Sequence, residues 1–89
     1  MHKIVDRLQK FNRTNGWYYV AVPQKFSKKY FSKADRGLIA ISATVKEIHW
    51  KTSLLPMGDG THFIPISQKI RIKYGFKIGD RVEVYFETR

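Results

Sequence analysis

Apolar residues recur in short runs along this chain, and the spacing within each run predicts mainly β-strands. The clearest run is 81–87, where polar and apolar side chains alternate through Val84, as they do in a strand with one buried face. The other runs are rich in β-branched and aromatic residues, which strands favour. The predicted strands cover residues 4–11, 17–22, 38–45, 48–55, 62–66 and 81–87.

Two segments have the composition of short helices. Segment 24–31 follows Pro23, places two aromatic side chains four residues apart on one face and turns its lysines toward water. Ser67 is suited to cap a second helix, Gln68–Tyr74, and Gly75 is suited to end it in a left-handed conformation. We therefore predict one short helix in each half of the chain.

Turn chemistry separates these elements. Segment 12–16 contains an Asn-Gly pair, which readily adopts positive φ, so the first two strands are predicted to form a hairpin. Further turns are predicted at 35–37, 56–60 and 79–80, where Gly, Pro and Asp residues cluster.

The chain contains an internal match. Segments 24–30 and 68–74 share Gln, Lys, Lys and Tyr at an offset of 44 positions, and an Asp-Arg pair follows each at an offset of 45. One strand–helix–strand unit of this size is too small to bury its own apolar face, whereas two packed together can close a small barrel. We therefore predict a mainly β barrel with two short helices and pseudo-two-fold halves, in which the two helices lie in neighbouring positions.

Length and composition favour a single β-barrel domain over residues 1–89. The 89 residues are 43% apolar and 15% aromatic, which is enough for one modest core. The chain has no cysteine, so disulfide scaffolds and thiolate zinc sites are excluded. No apolar run is long enough to span a membrane, and residues 1–7 lack the apolar segment of a signal peptide. We expect a cytoplasmic protein that does not associate with membranes.

Positive charge is the strongest functional signal in the composition. Lys and Arg number 17 against 7 Asp and Glu, which gives a net charge of +10 and favours anionic partners. Both predicted helices carry like-charge pairs four residues apart, which destabilise a helix unless phosphates neutralise them. The candidate nucleic-acid contacts are Lys25, Lys29, Lys69, Arg71 and Lys73. A generic solvated cationic face is the alternative explanation.

The C-terminal part resembles the AbrB-like pattern, in which a short helix with an aliphatic–Arg pair leads through a glycine and a Gly-Asp turn into the next strand. Here the pair is Ile70-Arg71, the glycine is Gly75 and the turn is at 79–80. Ser67 stands where that family usually has proline. AbrB-like relatives bind DNA as swapped-hairpin dimers.

Nearly the whole chain is similar to the domain-of-unknown-function 1905 family. The resemblance lies in segments 16–23 and 75–84 and, most specifically, in the Thr-Ser-Leu…Pro…Gly-Asp-Gly string within 51–62. One departure is Lys46-Glu47, where that family often has an Asp-Gly turn. The resemblance implies a double-split β-barrel related to AbrB-like folds and no agreed activity. Because relatives are sometimes joined to a bacteriocin-protection-like domain, it also implies an accessory role.

Two functions remain open at this point. The first is a non-catalytic module, monomeric or homodimeric, that binds nucleic acid or another polyanion through phosphate contacts with little sequence selectivity. The second is a module that binds a protein or a small ligand at a patch near Trp17, Thr52 and Asp59. If both basic helices lie on one face, the fold favours nucleic acid.

Aromatic residues next to charged residues have two interpretations. Single strands are bound on stacking platforms of such rings, but a small barrel needs most of its rings for the core. We expect the solvent face of 17–22 to be the exception. The aromatic candidates are Trp17, Tyr18, Tyr19, Tyr30, Phe31, Trp50, Tyr74 and Tyr85.

Catalysis and metal binding have little support in the sequence. Three histidines, His2, His49 and His62, lack metal-ligand spacing, and no pair of carboxylates stands out as a general acid and base. We expect no enzyme activity, no cofactor and no metal.

Overall fold

The structure, a computed structural model, describes residues 1–12 and 16–89, and this part of the chain forms seven strands and two α-helices. The strands are β1 (His2–Arg7), β2 (Gln9–Lys10), β3 (Tyr18–Val22), β4 (Ile39–Val45), β5 (Ile48–Pro56), β6 (His62–Pro65) and β7 (Arg81–Thr88). The helices are α1 (Gln24–Lys29) and α2 (Gln68–Tyr74), and a single 3₁₀ turn, Phe31–Lys33, follows α1. The predicted mainly β fold with two short helices is confirmed.

The strands form a nearly closed barrel in the order β1-β7-β4-β5-β6-β3-β2, and all neighbouring pairs are antiparallel. The predicted strand 4–11 is interrupted at Leu8, so its first part pairs with β7 and its second part pairs with β3. Leu8 N donates to Asp80 O, and Gly79 N donates to Leu8 O, both at 2.8 Å. These two bonds hold the chain where it passes from one edge of the sheet to the other.

Alternate side chains of the long strands point into one shared core, because successive residues of a strand face opposite sides of the sheet. In β4 every second residue from Ile39 to Val45 is buried, and in β7 the buried residues are Val82, Val84 and Phe86. The core is completed from β3, β6 and the two helices by residues that include Val20, Val22, Phe26, Ile64 and Ile70.

The internal sequence match corresponds to a pseudo-two-fold axis. Val20 pairs with Ile64 between β3 and β6, and these residues are 44 positions apart. Ser42 pairs with Glu87 between β4 and β7, and these residues are 45 positions apart. Both offsets equal those of the sequence match, so an axis through the two pairs exchanges the two strand–helix–strand units.

The same axis overturns the expected placement of the helices. Helix α1 follows β3 and α2 follows β6, and these two strands run antiparallel. Each helix therefore begins at the end of the barrel opposite to the other. The expectation that the two basic helices lie in neighbouring positions is therefore wrong. The sequence match shows that the two halves are equivalent, but it does not show in which direction their strands pair.

The ends of the two helices differ as their sequences suggest. Ser67 Oγ accepts a hydrogen bond from Ile70 N at 3.4 Å, and Gly75 adopts φ 67° and ψ 28°, so both predictions for α2 are confirmed. Helix α1 ends at Lys29, two residues earlier than predicted, and the chain tightens into the 3₁₀ turn. The predicted turn at 12–16 lies mostly in 13–15, outside the described residues.

Replacing Gly75 by alanine is expected to lower the free energy of unfolding by about 1 kcal/mol, because a Cβ is disfavoured at positive φ. Within residues 1–12 and 16–89, no atom outside Gly75 and its chain neighbours lies within 4 Å of the added Cβ, so the loss comes from the backbone and not from a clash. Urea denaturation measures it, and Lys73→Ala on the exposed face of the same helix is the control. An unchanged midpoint for Gly75→Ala contradicts the backbone argument.

Candidate functional site

The two ends of the barrel carry different sets of predicted site residues. The α1 end is where β3 ends and β6 begins, and there Ser27 Oγ and His62 Nδ1 form a hydrogen bond of 2.7 Å. The α2 end is where β3 begins and β6 ends, and there Arg71 covers the ring of Tyr18. Helix α1 brings two of the five candidate cations to the first end, and α2 brings the other three to the second.

The three cations of α2 do not share one face of that helix. Lys69 and Lys73 are four residues apart, so they lie one above the other, and both are exposed. Arg71 lies between them in sequence and therefore on the opposite side, because successive residues of a helix are about 100° apart. Its side chain is half-buried against the barrel. The five predicted contacts thus fall into three separate places, so the condition under which the fold favours nucleic acid, both basic helices on one face, is not met.

Arg71 has the most unusual environment of the five. The Cζ atom of its guanidinium lies 3.6 Å from the centroid of the Tyr18 ring, the distance of a close cation–π stack. Its Nε is buried and has no hydrogen-bond partner among the residues that the structure describes. A buried N–H without a partner costs free energy, so the stacking of the guanidinium on Tyr18 is maintained against this cost.

Arg71 forms one wall of a groove that we call the aromatic groove. Its volume is about 310 Å³, and it opens widely to solvent at the α2 end. The backbone sets its floor, because Ile66 N donates to Tyr18 O at 2.8 Å and ties the start of α2 to β3. The groove is lined by Trp17, Tyr18, Trp50, Pro65, Ile66, Ser67, Gln68 and Arg71.

Two exposed side chains lie in or near the aromatic groove. Trp17 is 57% exposed, although tryptophan is usually well buried. Lys10 Nζ lies 5.6 Å from the centroid of the Tyr18 ring, so a second positive charge lies near the groove, although Lys10 is not one of its lining residues. The site therefore combines exposed aromatic surface with cations, the combination that the sequence indicated for segment 17–22.

The alternative patch is not brought together by the fold. Trp17 lies at the α2 end, and Thr52 lies in the middle of β5, where its carbonyl oxygen accepts from Arg89 Nη2 at 3.0 Å. Asp59 lies at the α1 end, in the loop between β5 and β6. The hydroxyl and backbone N–H of Thr61 donate to the Asp59 carboxylate and lower its pKa. Asp59 thus acts as a turn residue, and only Trp17 of this patch belongs to the aromatic groove.

A Ser–His pair at the α1 end was not identified from the sequence. Ser27 Oγ is hydrogen-bonded to His62 Nδ1, and His62 Nε2 lies 2.9 Å from Gly37 O. Ser27 is only 4% exposed, whereas a nucleophilic serine has to reach a substrate. The arrangement ties α1 to β6 and to the turn before β4, and it satisfies polar groups in a buried place. No sequence signal links residues so far apart.

His2 gives the α1 end a pH dependence. Its ring packs between Phe26 and Phe86, and its Nε2 is hydrogen-bonded to the Tyr30 hydroxyl. Burial and then the charge of Lys29 lower the pKa of His2 below its ordinary value of 6.5. The unfolded chain therefore takes up the proton first as the pH falls. Stability is full above about pH 6.5 and is lost as the pH falls toward the folded pKa.

Replacing His2 by glutamine is expected to remove this part of the pH dependence. Urea denaturation midpoints at about pH 8 and about pH 5.5 measure it for both proteins, since these values lie on either side of the ordinary pKa. The wild-type midpoint should fall more between the two conditions than that of His2→Gln. His49→Gln on the outside of β5 is the control, and equal losses for all three proteins contradict the assignment.

Within residues 1–12 and 16–89, no three His, Asp or Glu side chains are grouped closely enough to hold a metal ion. No helix in these residues has the length and apolar character needed to cross a bilayer.

Comparisons with known proteins give one result. A family model described as "Domain of unknown function (DUF1905)" matches residues 7–85, which include every strand from β2 to β6 and all residues of the aromatic groove. A comparison with curated proteins gave no match.

Proposed function

The chain belongs to the DUF1905 family, a domain of unknown function, and from this premise we propose that it is a non-catalytic module that binds nucleic acid through phosphate contacts. The observation that carries the proposal is Arg71, whose guanidinium is stacked on Tyr18 in the wall of the aromatic groove. A guanidinium presents a planar fork of donors that matches the oxygens of a phosphate. The Tyr18 ring holds this fork in place before any ligand binds.

Three cations are proposed as the phosphate contacts. Arg71 lies in the wall of the groove, Lys10 lies near the Tyr18 ring, and Lys69 lies on the exposed face of the first turn of α2, next in the chain to Gln68 of the groove. Lys73 lies on the same exposed face one turn farther along α2 and contributes through its charge at longer range. Lys25 and Lys29, at the other end of the barrel, are left out of the proposed interface.

Sequence selectivity is proposed to be low, because phosphates are the same at every nucleotide and carry no sequence information. The resemblance of 66–84 to the AbrB-like pattern supports a nucleic-acid partner. It does not supply the mode of binding, since both strand–helix–strand units here come from one chain. The net charge of +10 supports the same class of partner by long-range attraction.

Titration of a labelled oligonucleotide, as a duplex and as a single strand, tests this proposal at low salt. Arg71→Gln is expected to weaken binding about tenfold, the effect of losing one charged hydrogen-bonding contact. Lys29→Gln removes the same charge from the α1 end and, compared with Arg71→Gln at about 0.1 M salt, should leave the affinity within about twofold, because screening there acts over about 10 Å. If the wild-type protein binds neither form at low salt, or if the two variants lose affinity equally, the proposal is wrong.

A further inference from the structure

We infer that the aromatic groove holds an unpaired nucleotide, with its base stacked on Trp17 and its phosphate bound by Arg71. This inference rests on the proposed function and goes beyond it, because phosphate contacts alone do not distinguish single strands from duplexes. The ligand class is single-stranded RNA or DNA, which share the base face and the phosphate that the groove would contact.

The exposure of Trp17 is the first argument. A tryptophan that is 57% exposed leaves apolar ring surface in water, and burying that surface against a partner lowers the free energy. Trp17 lies immediately before β3 and beside the groove, so its ring is available to a ligand held there. A nucleobase has a flat π-face, and stacking on an aromatic ring is the general way in which proteins hold single strands.

The size of the groove is the second argument. Its volume of about 310 Å³ lies at the lower limit of small-ligand sites. That is room for a planar ring system and not for a folded macromolecule. The walls are mostly aromatic and apolar, with Ser67, Gln68 and Arg71 as the polar residues, so they suit the apolar face of a base with polar atoms at its edge. A base in a duplex is paired and stacked, and its face is not accessible.

The position of the charges is the third argument. Arg71 Cζ lies 3.6 Å and Lys10 Nζ lies 5.6 Å from the centroid of the Tyr18 ring, and Tyr18 follows Trp17 in the chain. A base and its phosphate are joined by one sugar, so a site for unpaired nucleotides needs its ring and its cation close together. The aromatic groove meets this requirement. The lysines of α1 lie at the other end of the barrel and cannot complete such a site.

The experiment compares two strands of equal charge, one with bases and one without. Wild-type protein is titrated with a thymine homopolymer of about ten nucleotides and with an abasic strand of the same length. Stacking is expected to make the thymine strand bind about tenfold more tightly than the abasic strand and to quench tryptophan fluorescence. A uracil RNA strand of equal length tells whether the sugar matters.

Two variants test the assignment to Trp17. Trp17→Ala should bind the thymine strand only as well as wild-type protein binds the abasic strand, and most of the quenching should be lost, because only Trp50 of the same groove remains to report the ligand. Phe31→Ala is the matched control, because Phe31 is 79% exposed and lies in the 3₁₀ turn after α1, at the opposite end. It should leave both the affinity and the quenching unchanged.

The outcomes separate the inference from the proposed function. If the abasic strand and the thymine strand bind equally, the stacked base is wrong while phosphate binding stands. If no strand binds at low salt, both are wrong. If Phe31→Ala has the larger effect, the base contacts the α1 end and the aromatic groove is not the site.

Discussion

Replacing Phe86 by alanine is expected to lower the free energy of unfolding by about 3–5 kcal/mol, the usual range for deleting a buried aromatic ring. Phe86 is 0% exposed and is among the largest fully buried side chains of the protein. It lies in β7, and its ring meets that of Phe26 edge-on, with 5.3 Å between centroids. The ring therefore fastens α1 to the barrel, and its loss leaves a cavity that neighbouring strands cannot close.

Urea denaturation followed by circular dichroism measures this loss. A small domain has about 5–15 kcal/mol of stability in total, so the variant should be close to unfolding at room temperature. Glu87→Ala at the next, exposed position of β7 is the control and should change stability by less than about 0.5 kcal/mol. A loss below about 1 kcal/mol for Phe86→Ala means that the α1 end repacks around the gap.

The Phe86→Ala variant also tests at which end of the barrel the binding site lies. Phe86 lies at the α1 end, against Phe26, whereas the aromatic groove lies at the α2 end. Folded Phe86→Ala protein, stabilised by low temperature, should therefore keep its affinity for an oligonucleotide. A loss of affinity in the folded variant would place the binding surface at the α1 end.

Most elements of the barrel could be predicted because strands and short helices leave local signals. The strand 81–87 alternates, and the structure extends it by one residue to Thr88. The cap at Ser67 and the left-handed Gly75 are also local and were predictable. The break at Leu8 was not, because it depends on two different partners, β7 and β3, that meet this strand only in the folded barrel.

The placement of the helices shows a different limit. The match between 24–30 and 68–74 revealed the two equivalent halves, and the pairs Val20–Ile64 and Ser42–Glu87 lie at the corresponding offsets. Equivalent halves are compatible with helices side by side or at opposite ends. Antiparallel pairing of β3 with β6 selects the second arrangement, and no residue within either helix reports that pairing.

Individual residues of the candidate site could be predicted from the sequence, but their position in one groove could not. Arg71 was identified by charge and Trp17 by its exposed strand, but they were assigned to two different functions. They line one groove because β6 delivers α2 to the start of β3, through the bond between Ile66 and Tyr18. Lys10 had no signal of its own, since its role depends on β2 pairing with β3.

Raising salt from about 50 mM to about 200 mM is expected to weaken binding of a single strand about 20-fold. Three cations, Lys10, Lys69 and Arg71, would each neutralise one phosphate and release its counterion. The slope of log affinity against log salt is about −0.7 per phosphate for single strands, which gives about −2 for three. Fluorescence anisotropy at four or more salt concentrations measures this slope.

Two variants assign the slope to one end of the barrel. Arg71→Gln should make it shallower by about 0.7, whereas Lys25→Gln should leave it unchanged. Both substitutions remove one positive charge, so the difference between them reflects position and not net charge. A flat slope contradicts phosphate contacts altogether. A slope steeper than about −3 that depends on Lys25 means that a strand reaches both ends of a molecule 35 Å long, and the interface then extends well beyond the aromatic groove.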